Sequence, residues 1–270
     1  MVCIVYMVAG MSSRFGGKIK QFAKVGPNAE TLIEFSLNQA ISAGFNKVIF
    51  VVGEKTASPF KKMFGNEYKG IPISYANQEF DASKRDKPWG TADALISAND
   101  LVSDDFVVCN GDDLYGENTF RKMREFATKN PHNDCATIGY NLMTVIPCKG
   151  TVNRGIFTVD ENNYLIRIDE TLGISKDNLG EHGLAESSIS SQNIFFLKLG
   201  VLAMLKEKLI KFKEAHQEDR TSECYLPTEL SNLVAQGKIK IKVLETPDKW
   251  LGVTNPEDEE ILRQELASQN

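Results

Sequence analysis

The stretch Cys3-Ile4-Val5-Tyr6-Met7-Val8 runs directly into Ala9-Gly10-Met11-Ser12-Ser13-Arg14-Phe15-Gly16-Gly17-Lys18-Ile19-Lys20-Gln21. Six apolar residues without alternation, closed by a glycine, read as a short strand covered on both faces rather than as an amphipathic helix. The loop that follows opens at the carboxyl end of that strand, where sheets of the α/β class bind ligands. Its glycines let backbone amides approach an anion, Arg14 offers a bidentate fork, and Lys18 and Lys20 offer point charges. The spacing is not that of a Walker loop: five residues separate Gly10 from Gly16, and Ile19 follows Lys18. A solvated glycine-serine turn is the plain alternative.

Outward from this strand the first half alternates strand-like and helix-like segments. Thr31-Leu32-Ile33-Glu34 has the form of a capping box, and Ile33, Leu37, Ala40 and Ile41 then share one helical face up to Gly44. Strands are predicted over Lys47–Val52, Ile71–Ala76 and Phe106–Cys109. Helices are predicted over Lys55–Phe64, Thr91–Asn99 and Glu117–Thr128, with Asn77–Pro88 as a polar loop. This rhythm implies a mostly parallel sheet with helices on both faces. In the second half Asp134–Tyr140, Gly155–Val159, Tyr164–Ile168, Ile189–Leu197 and Ile239–Leu244 are strand-like. Asp160–Asn163 forms a hairpin turn, and Gly173–Ser188 is a long polar loop suited to a lid. Helices follow near Val201–Ala215 and Pro227–Gln236, and Asn255-Pro256 starts a last one to about Ala267. The expectation is one α/β domain of three layers, with a mixed, mostly parallel sheet. Residues to about 130 form one half and residues from about 131 the other.

Composition excludes several classes. The 270 residues are 42% hydrophobic and 25% charged, which is ordinary for a globular chain. Acidic residues outnumber basic ones, 36 to 31, for a net charge of −5, so neither a general nucleic-acid coat nor a polybasic membrane binder fits. No apolar stretch reaches the ~18 residues of a membrane span. The apolar N-terminus has no basic region before it, which separates it from a secretion signal. Five widely spaced cysteines (Cys3, Cys109, Cys135, Cys148, Cys224) and three unpaired histidines suggest free thiols in a reducing, cytoplasmic compartment, without a zinc site.

A second cluster, Asn110-Gly111-Asp112-Asp113, closes the Phe106–Cys109 strand. Adjacent carboxylates attract a hard cation such as Mg²⁺, which accepts one or two carboxylates together with phosphate oxygens. An Asp-rich turn is common after strands. On the same sheet edge as a cationic loop, however, the pair suggests metal-assisted phosphoryl chemistry.

With these pieces in place the chain resembles the sugar-1-phosphate nucleotidylyltransferases (pyrophosphorylases), which have a glycosyltransferase-A-like fold. Met7-Val8-Ala9-Gly10, Arg14 and Lys20-Gln21 are similar to the family signature. Gln78 and Pro88-Trp89-Gly90-Thr91-Ala92-Asp93-Ala94 resemble its base-binding Gln and helix start. Asn110–Gly116 resembles its metal-binding strand end, and Trp250-Leu251-Gly252-Val253-Thr254 the strand near its second metal ligand. The resemblance implies a Rossmann-like nucleotide-binding half in which Ala9, Gly10, Gln78, Gly90 and Thr91 contact the nucleotide. It implies Arg14 and Lys20 on the triphosphate, Asp112 on Mg²⁺, and Arg154-Gly155, Glu170 and Asn193 on the sugar. No carboxylate lies within Trp250–Thr254, which leaves Asp248 and Thr254 as candidates for a second metal ligand.

The implied reaction is attack of a sugar 1-phosphate oxygen on the α-phosphorus of an NTP, with pyrophosphate leaving. Because the nucleophile is already an anion, positioning and charge stabilisation suffice. A Gln amide offers both a donor and an acceptor, which suits a uracil or thymine edge and favours UTP. The rivals are a glycosyltransferase that consumes a nucleotide sugar, a cytidylyltransferase acting on a non-sugar alcohol phosphate, and a non-catalytic nucleotide-sugar sensor. The sequence does not name the sugar, and a homo-oligomer stays open.

Overall fold

The computed structural model describes residues 2–10, 19–130, 132–147, 150–252 and 258–267. Arg14, Lys18, Cys148, Thr254 and the Asn255-Pro256 helix start lie outside the described residues. The first half runs β1 (Cys3–Met7), α1 (Leu32–Ser42), β2 (Lys47–Val52), α2 (Glu54–Phe64), β3 (Glu67–Tyr68), β4 (Ile71–Asn77), α3 (Thr91–Ser97), β5 (Phe106–Asn110), β6 (Asp113–Leu114) and α4 (Glu117–Lys129). The second half runs β7 (Cys135–Asn141), α5 (Leu142–Val145), β8 (Val152–Val159), β9 (Leu165–Ile174), β10 (Ile189–Leu197), α6 (Gly200–Ala215), α7 (Leu226–Ala235), β11 (Ile241–Glu245), β12 (Leu251–Gly252) and α8 (Asp258–Ala267).

Among the described residues ten strands form one sheet. Its main path is β11-β7-β10-β5-β1-β2-β4-β3, with β8 paired to β10 and β9 paired to β8. β1 is central and lies parallel to both β2 and β5. β10 runs antiparallel between β5 and β7, so the sheet is mixed. The strand reading of Cys3–Val8 holds for a physical reason. Ile4, Tyr6 and Val8 pack into one buried cluster, and Cys3, Val5 and Met7 into another on the opposite face. The first cluster takes Ile33 and Leu37 of α1, Phe60 and Phe64 of α2, and Phe120 and Met123 of α4. The second takes Leu95 of α3, Leu202 and Leu205 of α6, and Leu230 and Leu233 of α7. Two helical layers therefore enclose the sheet.

The capping box is formed as expected: Glu34 N donates to Thr31 Oγ1, and Thr31 N donates to Glu34 Oε2 at 2.9 Å. Such a cap is worth ~1 kcal/mol. The hairpin turn at Asp160–Asn163 also forms, and Asp160 N donates to Tyr164 O at 2.9 Å. β9 departs from the expectation because it continues to Ile174, which shortens the polar loop. β9 pairs with β8 and is largely exposed, so its outer half carries polar residues without ceasing to be a strand. The rest of that loop contains a 3₁₀ turn, Leu179–His182, whose Leu179 is buried. None of its residues lines the ligand cleft described below.

Gly90 adopts φ +93°, and a Cβ built there would lie 2.7 Å from Cys224 O and 2.9 Å from Cys224 N. The segment around it is fixed by backbone bonds from Cys224 N to Trp89 O at 2.7 Å and from Ala92 N to Cys224 O at 3.0 Å. Gly90→Ala is therefore expected to cost at least ~2 kcal/mol, combining left-handed strain with a backbone clash. The control Gly180→Ala, where nothing lies within 4 Å of the built Cβ, should change stability by less than ~0.5 kcal/mol. Thermal melting of the two variants measures the difference.

Candidate active site

The carboxyl ends of β1 and β5 lie side by side, with Met7 opposite Asn110. The antiparallel β10 enters the same edge from the other direction, which brings Gln192 and Asn193 to the end of β5. A cleft of about 650 Å³ opens here, and it collects Lys20, Asp112, Asp113, Arg154, Glu170 and Asn193. Of the predicted residues, Lys20, Thr91, Asp112, Gly155, Glu170 and Asn193 all line it. A second cavity of about 680 Å³ is lined by Ala9, Gly10 and Gln78, with Gly53, Asp86 and Lys87. Thus Thr91 joins the sugar-side residues rather than Gln78, and its Oγ1 accepts from Leu226 N at 2.9 Å. Gly90 sits between the two groups, its carbonyl accepting from Gln78 Nε2 at 3.0 Å.

The turn after β5 is built around Asp113. This carboxylate is buried, and Asn110 Nδ2 donates to its Oδ2 at 2.9 Å. Tyr115 Oη lies 3.3 Å from the same oxygen and donates to Gln192 O at 2.8 Å, while Asn110 N donates to Tyr115 Oη at 3.1 Å. Tyr140 Oη in turn donates to Tyr115 O at 2.9 Å. Burial first, and the neighbouring Asp112 second, push the Asp113 carboxyl up to about 7, against the pull of Asn110, Lys20 and Arg154. Asp112 is more accessible and forms an ion pair with Lys20. The two adjacent carboxylates therefore differ in kind: one is a buried anchor, and the other is a partly exposed group facing a cation.

Across the cleft, Gly155 pairs in register with Glu170. A Cβ on Gly155 would meet Ile168 Cγ2 at 2.9 Å, so the position packs closely against the Ile168 side chain. Partial burial raises the Glu170 carboxyl above its usual range while Arg154 opposes the rise. Asn193 occupies φ +56° at the irregularity between Ser191 and Phe195 of β10. Asn tolerates this region better than most residues, and the bulge turns it toward the cleft.

Asp248 does not join Asp112. Its Oδ2 accepts from Thr119 N at 2.7 Å and its Oδ1 from Asn118 Nδ2 at 2.9 Å, so the carboxylate caps the start of α4 and faces a different cavity. This corrects the expectation of Asp248 as a second metal ligand, since a carboxylate satisfying free helix amides is held there by charge and geometry. Among the described residues no group of three or more His, Cys, Asp and Glu side chains converges.

The structure adds contacts around the site that no sequence spacing reports. Arg154 is partly buried, stacks 4.9 Å above the Trp250 ring and donates to Val145 O at 3.0 Å. Trp250 thereby walls the cleft. The Asn77–Pro88 loop is tied down by Arg85, which stacks 3.3 Å over Trp89 and donates to Asp219 O at 2.7 Å. Arg220 also reaches Asp86 at 2.7 Å. An Arg in a polar loop carries no local signal of such burial.

The nucleotidyl transferase family profile matches residues 17–253. The chain belongs to that family, in keeping with its resemblance to the sugar-1-phosphate nucleotidylyltransferases. A UTP–glucose-1-phosphate uridylyltransferase, AglF, from Haloferax volcanii is 27% identical over 116 residues, which span 42% of this chain and 44% of the relative. A provisionally named glucose-1-phosphate thymidylyltransferase from Bacillus anthracis, in complex with sucrose, shares the fold with a TM-score of 0.73 at 15% identity, over 100% of this chain and 97% of that one. A UTP-bound UGPase from Acinetobacter baumannii gives 0.68 at 16%, over 99% and 94%. An inositol-1-phosphate CTP transferase from T. maritima gives 0.69 at 16%, over 99% and 95%. Among the described residues no helix is long and apolar enough to cross a membrane.

Tyr115→Phe removes the hydroxyl that links Asn110, Asp113 and Gln192. It is expected to destabilise the protein by ~1–3 kcal/mol, because buried partners lose their bond without gaining water. Denaturant titration at fixed pH reads this loss, with an unchanged m-value showing that the folded and unfolded states keep their compactness.

Proposed function

We propose that this chain transfers a uridylyl group from UTP to a sugar 1-phosphate, giving a nucleotide sugar and pyrophosphate. The observation that carries the reading is the meeting of Lys20, Asp112 and Asp113 in one cleft with Glu170 and Asn193 on its far wall. Anion-binding and cation-binding groups on one side, and hydrogen-bonding groups on the other, suit a reaction that joins a polyphosphate to a polyhydroxy phosphate. The 27% identical uridylyltransferase and the cavity at Gln78 support uridine as the base.

In this reading Ala9 and Gly10 line the nucleotide cavity, and Arg14 and Lys20 hold the triphosphate. Glu170 accepts hydrogen bonds from sugar hydroxyls, Asn193 donates to or accepts from them, and Gly155 leaves room for the ring. Arg154 adds positive charge near the reacting phosphates. The residues fit a divalent cation: Asp112 and Asp113 are hard oxygen donors side by side, and Mg²⁺ is commonly held by one or two protein carboxylates plus phosphate oxygens. Asp112 would hold it, with Asp113 behind. Bound there, Mg²⁺ supplies neutralisation of charge on the phosphoryl oxygens. Lys20 would then pass from Asp112 to the phosphates, so that one ion pair exchanges for two.

Asp112→Asn keeps size and removes charge, and is expected to lower turnover by about 10²–10³ or more while the protein stays folded. Pyrophosphate release, screened with four NTPs against a panel of sugar 1-phosphates, checks both substrate choice and this loss. Unchanged release by Asp112→Asn, or no release by the wild type with any pair, contradicts the proposal.

A further inference from the structure

Gln78 follows β4 and is buried at the wall of the cavity shared with Ala9 and Gly10. Its Nε2 donates to Gly90 O at 3.0 Å and to Asp93 Oδ2 at 2.9 Å. Both partners can only accept: one is a backbone carbonyl and the other a carboxylate. A carboxamide has two N–H hydrogens, and both are committed here. The reverse orientation would set Oε1 against two oxygens. Chemistry therefore fixes which end of the amide faces inward, and only Oε1 is left to offer a ligand. Among the described residues nothing donates to it.

Asp93 is itself anchored. It lies in the first turn of α3, and its Oδ1 pairs with Lys213 Nζ of α6 at 2.5 Å. Lys213 sits 5.8 Å over the Trp89 ring. The pair thus links α6 to the residue that holds Gln78. This narrows the donor-plus-acceptor role expected of Gln78 to that of an acceptor.

We infer that Asp93, anchored by Lys213, is a positioning residue that turns Gln78 so that Oε1 alone meets the base. The site thereby selects a ring N3–H, as in uracil or thymine, over the bare N3 acceptor of cytosine. The inference rests on the reading of this cavity as the base pocket. A site with one oriented acceptor discriminates because the wrong edge leaves two acceptors facing each other without a proton.

The test compares dissociation constants of UTP and CTP, with Mg²⁺, by titration calorimetry on the wild type, Asp93→Asn and Lys213→Met. Thermal melts confirm folding. Binding is read separately from turnover, so failure of the transfer reaction and failure of this inference are distinguishable. The wild type should bind UTP about tenfold or more tighter than CTP. Asn at position 93 can present either oxygen or N–H₂ to Gln78, which frees the amide to turn. The UTP-to-CTP ratio should then fall severalfold. Lys213→Met, which keeps the acceptor but loosens it, should give a smaller fall and serves if Asp93→Asn does not fold. A merely structural role would weaken both nucleotides equally. A ratio unchanged in a folded variant, a wild type that prefers CTP, or no binding of either nucleotide overturns the inference.

Discussion

Asp113 is held beneath the carboxyl ends of the central strands, with Asn110 donating to it and Tyr115 beside it. A buried carboxylate must be hydrogen-bonded, and here Asn110 at the end of β5 donates to it, while Tyr115 of the turn that follows lies beside it and donates to Gln192 O of β10. β10 pairs antiparallel with β5, which sets Gln192 and Asn193 at the same edge as Asp112. Tyr140 and Thr119 extend the network to β7 and α4, and Asp248 closes the start of α4. The polar centre and the strand order are thus one arrangement.

Charge follows from this packing. Asp112 lies next to the buried acid, and Lys20 provides its counter-charge. Arg154 provides a second, held in place by the Trp250 ring and the Val145 carbonyl. Among the described residues the cleft thus sets three acids, Asp112, Asp113 and Glu170, beside two cations, Lys20 and Arg154.

Much of the frame was legible because the physics was local. The apolar run at Cys3–Val8 requires burial on both faces, and Thr31 with Glu34 closes a helix start without help from elsewhere. The paired carboxylates after β5 were visible as a motif. What the sequence hid was non-local. The roles of Asp112 and Asp113 differ through Tyr115 and Asn110, whose hydrogen bonds no spacing reports. Asp248 looked free to bind a metal and instead caps α4, across 129 positions of chain. The left-handed backbone at Asn193 arises from a register change between strands. Gln78 loses its donor role to Asp93 and Gly90, contacts that depend on α3 folding back on the end of β4.

Nucleotidyl transfer at this polar edge leaves a signature in the fate of the α-phosphorus. The most direct measurement follows the α-phosphorus of labelled UTP in a single turnover with a sugar 1-phosphate. The label is expected to move into a nucleotide sugar while the β- and γ-phosphorus leave together as pyrophosphate. Label recovered as UDP, or retained in UTP with the full sugar panel, would contradict it.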